Sequence, residues 1–332
     1  MMVKIKMYDV ETYEEQFIKD WVQAHDVEVD YEHGPLTKEN VEDVKGYDGI
    51  SLSHNGPFDS DLFEILASYG IKQIAQRSAG FDMYDLEKAK ANGILITTVP
   101  SYSPSSIAEY AVMGALYFVR QVPLAQQRVQ AHDFRWKGDI MSRTVKDLTV
   151  AVIGVGRIGS ISARLFHSFG CRVVGYDLVR RPEMEDIVDY KESMLDAITQ
   201  ADIVTLHIPG NKETYHLFDD EVFRHFKAQT IFVNAARGMV VDTQAFLKAL
   251  DSEKIAGAVI DTYENEAEYY RRDYSGKVIQ DEVLLHLIER DDVLVSPHIA
   301  FFTGEAVKNL TEGGLNSTLE VLNTGDSEFR IN

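Results

Sequence analysis

Residues 149–159 read TVAVIGVGRIG, and no other stretch restricts the fold as strongly. Five mostly β-branched residues lead into three glycines spaced G-x-G-x-x-G, and the amphipathic stretch RIGSISARLFHSFG follows. That order predicts a buried strand, a tight turn and a helix, the opening of a βαβ unit. The three glycines serve different ends. Gly154 permits the turn, Gly156 removes a side chain where backbone meets a diphosphate, and Gly159 lets helix and strand pack closely. The helix start aims unpaired N–H groups, expected from Arg157 and Ile158, at the anion. A second strand, CRVVGY, ends at Asp177, about 20 residues past the turn, where a carboxylate accepts hydrogen bonds from ribose hydroxyls. A 2′-phosphate would face that carboxylate, so NAD is expected in preference to NADP, with Arg180 and Arg181 just beyond as a counterweight.

The turn lies well inside the 332-residue chain, so an α/β unit precedes it. VKIKMYDV alternates as a first strand, EEQFIKDWVQAHD has helical spacing, and DGISLS reads as the second strand. SDLFEILASYG reads as a helix with Ser60 as its N-cap and a glycine stop. IKQIAQRSAG and GILITTV, separated by YDLEKAKANG, continue the rhythm. Pro100 and Pro104 interrupt it, and Ser105 or Ser106 is expected to cap one long helix, IAEYAVMGALYFVRQVPLAQQRV. Six strands follow: LTVAVIG, CRVVGYD, DIVTLHIP, TIFVNAA, IAGAVID and DVLVSP. A closing helix spans GEAVKNLTEGGLNSTLEVLNTG. Strand–helix alternation implies parallel sheets covered by helices, and the length exceeds what one core usually serves. The expected fold is α/β: two Rossmann-like or flavodoxin-like, doubly wound parallel-sheet domains. Residues 1–102 plus 300–332 form the substrate-binding domain, and 103–299 the NAD-binding domain.

A formal net charge of −20 argues against nucleic acid and anionic membranes, which require a basic footprint. No apolar run approaches the ~20 residues of a membrane span, and the N-terminus lacks the apolar centre of a signal peptide. The only cysteine, Cys171, cannot form an internal disulfide and opens a predicted buried strand. A cytoplasmic protein is expected. Neither H-E-x-x-H nor C-x-x-C occurs, so no metal site is expected. His25, His54, His132 and His286 are taken as structural or surface residues.

Ligands bind outside the carboxyl ends of parallel strands. Three strand ends beyond the glycine turn carry reactive side chains. TIFVNAARG delivers Arg237, IAGAVIDTYENE delivers Asp261 and a carboxylate at Glu264 or Glu266, and VLVSPHIAFF delivers His298. Hydride addition to a keto group places negative charge on its oxygen. A protonated imidazole can donate to that oxygen, a neighbouring carboxylate raises the imidazole's pKa and sets its tautomer, and arginine binds carboxylate and carbonyl oxygens together. In an anionic chain, an arginine at a pocket position also supplies the local positive field an acidic substrate needs.

RSAGFD, VPSYSPSSIAEYA, HDFRW, VIGVGRIG, LHIP, NAARGMVVDT, IDTYENE and SPHIAFFT, in this order, resemble the D-isomer-specific 2-hydroxyacid dehydrogenase family over nearly the whole chain. The resemblance implies Arg237 as the substrate-binding arginine, Glu266 as the partner carboxylate and His298 as the acid/base. It implies that the backbone N–H groups of Ala79 and Gly80, with Tyr102, receive the substrate carboxylate, and that Phe301 walls the pocket. It places Asp261 near the nicotinamide carboxamide, His207 and Pro209 beside the adenine, and Ala235 among the cofactor-binding residues. It further implies an active site in the cleft between the domains, and a homodimer formed through the NAD-binding domain with the long helix as its arm. The expected substrate pair is pyruvate and D-lactate. A small residue near Ser53 and Met83 in place of the more common Asn favour a bulkier 2-keto acid as the alternative. Glutamate at 266, where formate-oxidising relatives carry glutamine, disfavours formate. A nucleotide-sensing, corepressor-like protein is the alternative from another class.

Overall fold

The computed structural model describes residues 2–54 and 56–332; Asn55, two residues beyond Ser53 in the sequence, lies outside the described residues. The chain forms two compact units, Met1–Ser103 with Phe302–Asn332, and Pro104–Phe301.

The first unit holds five parallel strands: β1 (Val3–Met7), β2 (Val27–Tyr31), β3 (Gly49–Leu52), β4 (Gln73–Gln76) and β5 (Leu95–Thr97). Their order is β2-β1-β3-β4-β5, the flavodoxin-like doubly wound order. Ile50, Leu52, Ile74 and Ile96 pack on one face; Ile5, Met7 and Trp21 pack on the other with Leu315 of the helix Gly304–Thr324. The indole N–H of Trp21 donates to Asn316 Oδ1 at 2.8 Å, which fastens that C-terminal helix to this unit.

The second unit holds β6 (Thr149–Ile153), β7 (Arg172–Tyr176), β8 (Asp189–Tyr190), β9 (Ile203–Leu206), β10 (Thr230–Asn234), β11 (Ile255–Ile260) and β12 (Val293–Val295), all parallel, in the order β12-β11-β10-β9-β6-β7-β8. Counted from β6, this is the dinucleotide-fold order 3-2-1-4-5-6 with a seventh strand at the far edge. The period-2 rule assigns the faces. Val150 and Val152 enter one core with Phe118 and Phe166, while Ala151 and Ile153 enter the other with Phe218, Phe223, Phe226, Phe232 and Phe246. Each fully buried aromatic stabilises the unit by about 1.5–3 kcal/mol through area removed from water. Cys171 is buried just ahead of β7, and burial pushes its thiol up to about 11, so it stays protonated.

The local expectations need five corrections. Val27–Tyr31 is a strand that falls, in sequence, between the two read as first and second; it is the sheet edge, and its residues VEVDY alternate apolar and acidic as a strand with one outward face does. A two-residue strand, β8, adds to the six read in the second half. Ser60 is not an N-cap, since the helix is Leu62–Ser68 and Asp61 precedes it. The long helix is two, Pro104–Val119 and Val122–Gln130. Gln121 takes a left-handed conformation (φ 52°) and Pro123 cannot donate to the preceding turn, so the helix restarts. Pro104 opens the first of them, leaving Ser105 and Ser106 inside it rather than capping it.

Candidate active site

At the end of β6 the chain turns through Gly154 (φ 88°), whose N–H donates to Tyr176 O at 2.9 Å. A Cβ at Gly154 would lie 2.5 Å from His207 O, and one at Gly159 only 1.9 Å from Gly154 O, so neither position accepts a side chain. At Gly156 nothing lies within 4 Å of such a Cβ. Gly156 also precedes Arg157, the first residue of the helix Arg157–Ser168, with Ile158 next. The close contacts thus hold the turn against its neighbours, while the backbone at Gly156 faces open space, the shape a diphosphate requires. His207 follows β9, and its N–H donates to Ile153 O at 2.7 Å. Packing around its ring pushes its pKa down to about 4, so it is neutral at pH 7. Pro209 is exposed, and its carbonyl accepts the Thr214 hydroxyl at 2.7 Å.

Asp177 follows β7. Its Oδ2 accepts the Val155 N–H at 2.6 Å and its Oδ1 the Val179 N–H at 2.9 Å, so the carboxylate is held against the glycine turn. Arg180 pairs with Glu192 at 2.6 Å and Arg181 with Glu183 at 3.4 Å, so each arginine has a carboxylate of its own. These residues fit NAD. Asp177→Ala is expected to lower the ratio of kcat/KM for NADH to that for NADPH by roughly 10²- to 10⁴-fold, the weight of two hydrogen bonds to a charged group. Steady-state assays with both cofactors read it, and an unchanged ratio would remove Asp177 from cofactor selection.

The three reactive strand ends follow. Beyond β10, Asn234 builds the turn: its Oδ1 accepts the Ala236 N–H at 3.1 Å and its amide donates to Arg237 O at 3.1 Å. Ala235 and Ala236 are buried by this turn and Arg237 is half-buried, with its Nη1 donating to Ala236 O at 2.7 Å. Gly238 then presses on the segment after β11, where a Cβ would meet Tyr263 O at 2.2 Å. Only glycine lets these two loops touch.

Asp261, directly after β11, is fully buried. Its Oδ1 accepts the Ser296 hydroxyl at 2.7 Å and the Ile299 N–H at 2.8 Å, and its Oδ2 accepts the Ala300 N–H at 2.9 Å. Its backbone carbonyl accepts the His298 N–H at 2.8 Å. Burial raises its pKa despite these donors. Asp261 therefore binds the turn that carries His298, a role its place in the sequence does not announce. His298 sits in the left-handed region (φ 57°), which costs a non-glycine residue about 1–3 kcal/mol and persists only where surroundings impose it.

Glu266 opens the short helix Glu266–Tyr269. Its Oε1 lies 2.7 Å from His298 Nδ1, and its Oε2 accepts the Tyr263 N–H at 2.9 Å. The pair fixes one tautomer, with Nδ1–H toward the carboxylate and Nε2 directed away. The His298 side chain is 36% exposed. The Phe301 ring lies edge-on to His298, with centroids 6.5 Å apart. Glu264 pairs elsewhere, with His216 at 2.5 Å.

In the first unit, Ala79 and Gly80 follow β4. Ser78 Oγ donates to Gly80 O at 2.6 Å and accepts from the Gln76 amide at 3.1 Å, and Gln76 accepts the Tyr84 hydroxyl at 2.5 Å. Among the described residues the N–H groups of Ala79 and Gly80 make no hydrogen bond. The preceding Arg77 is buried and bonds Glu14 at 3.1 Å and Tyr8 O at 2.9 Å, which anchors the loop. Tyr102 is half-buried, with its carbonyl accepting the Asn309 amide at 2.7 Å.

Three contributors escape a reading of the sequence. Asn234 and Ser296 shape the loops of Arg237 and His298. Tyr270 has a buried hydroxyl without a hydrogen-bond partner among the described residues, and burial, with Glu266 and Asp261 adding, raises its pKa. The placement of Asn234 and Ser296 as last polar residues of apolar runs was the available signal; for Tyr270 there was none.

Comparison with known proteins gives this geometry a lineage. The sequence profile of the D-isomer specific 2-hydroxyacid dehydrogenase NAD binding domain matches residues 112–300. The chain belongs to that family. A D-lactate dehydrogenase from Staphylococcus aureus is 49% identical over 331 residues, covering 100% of each chain. A D-lactate dehydrogenase structure from Treponema pallidum superposes with a TM-score of 0.93 at 34% identity, covering 99% of this chain and 100% of that one. A D-2-hydroxyisocaproate dehydrogenase structure does so with a TM-score of 0.91 at 33% identity, covering 99% of each. As a 2-hydroxyacid dehydrogenase, the chain is an NAD-dependent oxidoreductase on two parallel-sheet domains.

Proposed function

We propose that this enzyme is a D-lactate dehydrogenase, interconverting pyruvate and D-lactate with NADH and NAD. One observation carries the chemistry: His298 Nδ1 lies 2.7 Å from Glu266. When bound, the cofactor supplies the hydride that reaches the keto carbon. Protonated His298 donates from Nε2 to the keto oxygen as charge grows there, and Glu266 stabilises the imidazolium and keeps the tautomer. Arg237 binds the keto oxygen and the substrate carboxylate together. The Ala79 and Gly80 N–H groups, which make no hydrogen bond among the described residues, support a role in receiving that carboxylate. Tyr102 joins them there, and Phe301 reads the substrate's methyl group. Full-length identity of 49% to D-lactate dehydrogenase favours pyruvate. A panel of 2-keto acids assayed with NADH and with product chirality tests this: D-lactate from pyruvate is expected, and much faster turnover of 2-ketoisocaproate would overturn it.

Cytoplasmic fermentation, in which this reaction returns NADH to NAD, is the setting we infer. A homodimer formed through the second unit is part of the same reading. The helix Val122–Gln130 has no buried residue, and Val129, Phe134, Trp136 and Met141 are exposed at 52%, 70%, 97% and 80%. So much apolar surface on one segment is the mark of an interface. Light scattering is expected to report twice the 37.5 kDa chain mass; a monomer would overturn the dimer.

A further inference from the structure

One residue bonds both loops that carry Arg237 and Glu266. His216 lies between β9 and β10. Its backbone N–H donates to Met239 O at 2.9 Å, two residues past Arg237. Its ring Nε2 lies 2.5 Å from Glu264 Oε1, two residues before Glu266. The other oxygen of Glu264 accepts the Thr243 hydroxyl at 2.8 Å, at the start of the helix Thr243–Asp251. Phe218 extends the join, its N–H donating to Val240 O at 3.0 Å and its carbonyl accepting the Asp242 N–H at 3.1 Å. Tyr215 stacks on the imidazole with ring centroids 4.0 Å apart and planes 14° from parallel, which sets the ring's tilt. His216 is held in the left-handed region (φ 49°), where non-glycine residues are uncommon.

We propose that His216 is a positioning residue that, through Glu264, sets the spacing between Arg237 and Glu266. This rests on the functional reading above. In that reading Arg237 grips the substrate while Glu266 aims His298, and their separation decides whether hydride acceptor and proton donor align. Gly238 lets the two loops touch at Tyr263 and Glu264, and His216 bonds to both. Displacements of about 1 Å originating outside the reacting centre can cost 10²-fold in rate, so a clasp of this kind has a kinetic signature.

The test compares His216→Phe with His216→Gln. Phenylalanine keeps a ring to stack on Tyr215 but has no donor for Glu264. Glutamine places an amide N–H where Nε2 stood but gives up the stack, and both share the cost of the left-handed backbone, so a Gln variant that outperforms Phe reports the bond to Glu264 and not the ring contact. His216→Phe is expected to lower kcat/KM for pyruvate about 10- to 100-fold with NADH affinity unchanged, and His216→Gln to recover most of that loss. Amide hydrogen exchange over residues 237–243 and 262–268 should quicken in the Phe variant and return in the Gln variant. A Phe variant with unaltered kcat/KM and exchange overturns the proposal. So does a loss shared equally by NADH affinity and left unrescued by glutamine, since that marks a role in general stability. Failure of the unaltered protein to reduce any 2-keto acid would overturn the functional reading alone, and the exchange measurement would still decide whether His216 joins the two loops.

Discussion

Glutamine in place of His298 is expected to lower pyruvate turnover by about 10²–10⁴-fold, the range for loss of a positioned acid/base, with NADH affinity intact. The amide can still donate a hydrogen bond, but it cannot surrender a proton to the forming alkoxide. Two features confine the damage to chemistry. The His298 turn is held by Asp261, whose oxygens take the Ser296 hydroxyl and two backbone N–H groups, so its conformation does not depend on the imidazole. The glycine turn and Asp177 lie on other strand ends, after β6 and β7. A fluorescence titration of NADH and a stopped-flow turnover assay separate the two effects. Near-normal turnover would remove His298 as the acid/base, and loss of NADH binding would indicate that the turn had collapsed.

What the sequence revealed and what it hid divide along a physical line. The glycine turn was legible because its constraints are local: a sharp turn, a close helix and a following carboxylate all fall within one βαβ unit. The reactive strand ends were legible because parallel strands emerge on one side of a sheet. Hidden were bonds between residues distant in sequence. Asp261 reads as a carboxylate at a strand end, and nothing nearby says that its oxygens are spent on residues 296–300. Glu264 and Glu266 are indistinguishable by local pattern; the structure separates them, one on His216 and the other on His298. β2 and the helix break also carry local signals: VEVDY alternates apolar and acidic residues, and Pro123, two residues past Gln121, marks the restart. Patterning reports which face is buried; pairings across the fold decide what each polar group does there.

Arg237→Lys keeps the charge and so tests geometry. The guanidinium is a rigid fork that can bind a carboxylate oxygen and the keto oxygen at once; an ammonium is a point charge on a flexible stem. Removing one preorganised donor from an oxygen that gains charge costs about 10²–10³-fold, and kcat/KM for pyruvate is expected to fall by that amount. The backbone around the residue is set without its side chain, by Asn234 on one flank and by Gly238 against Tyr263 on the other, so the lysine emerges from the same turn. NADH affinity should therefore hold within a small factor while the pyruvate KM rises and kcat falls. A fall in NADH affinity equal to the fall in kcat/KM would mean that the turn itself had failed and that Arg237 is structural. A variant as active as the parent would mean that its charge alone suffices and that the forked geometry contributes nothing to binding the 2-keto acid.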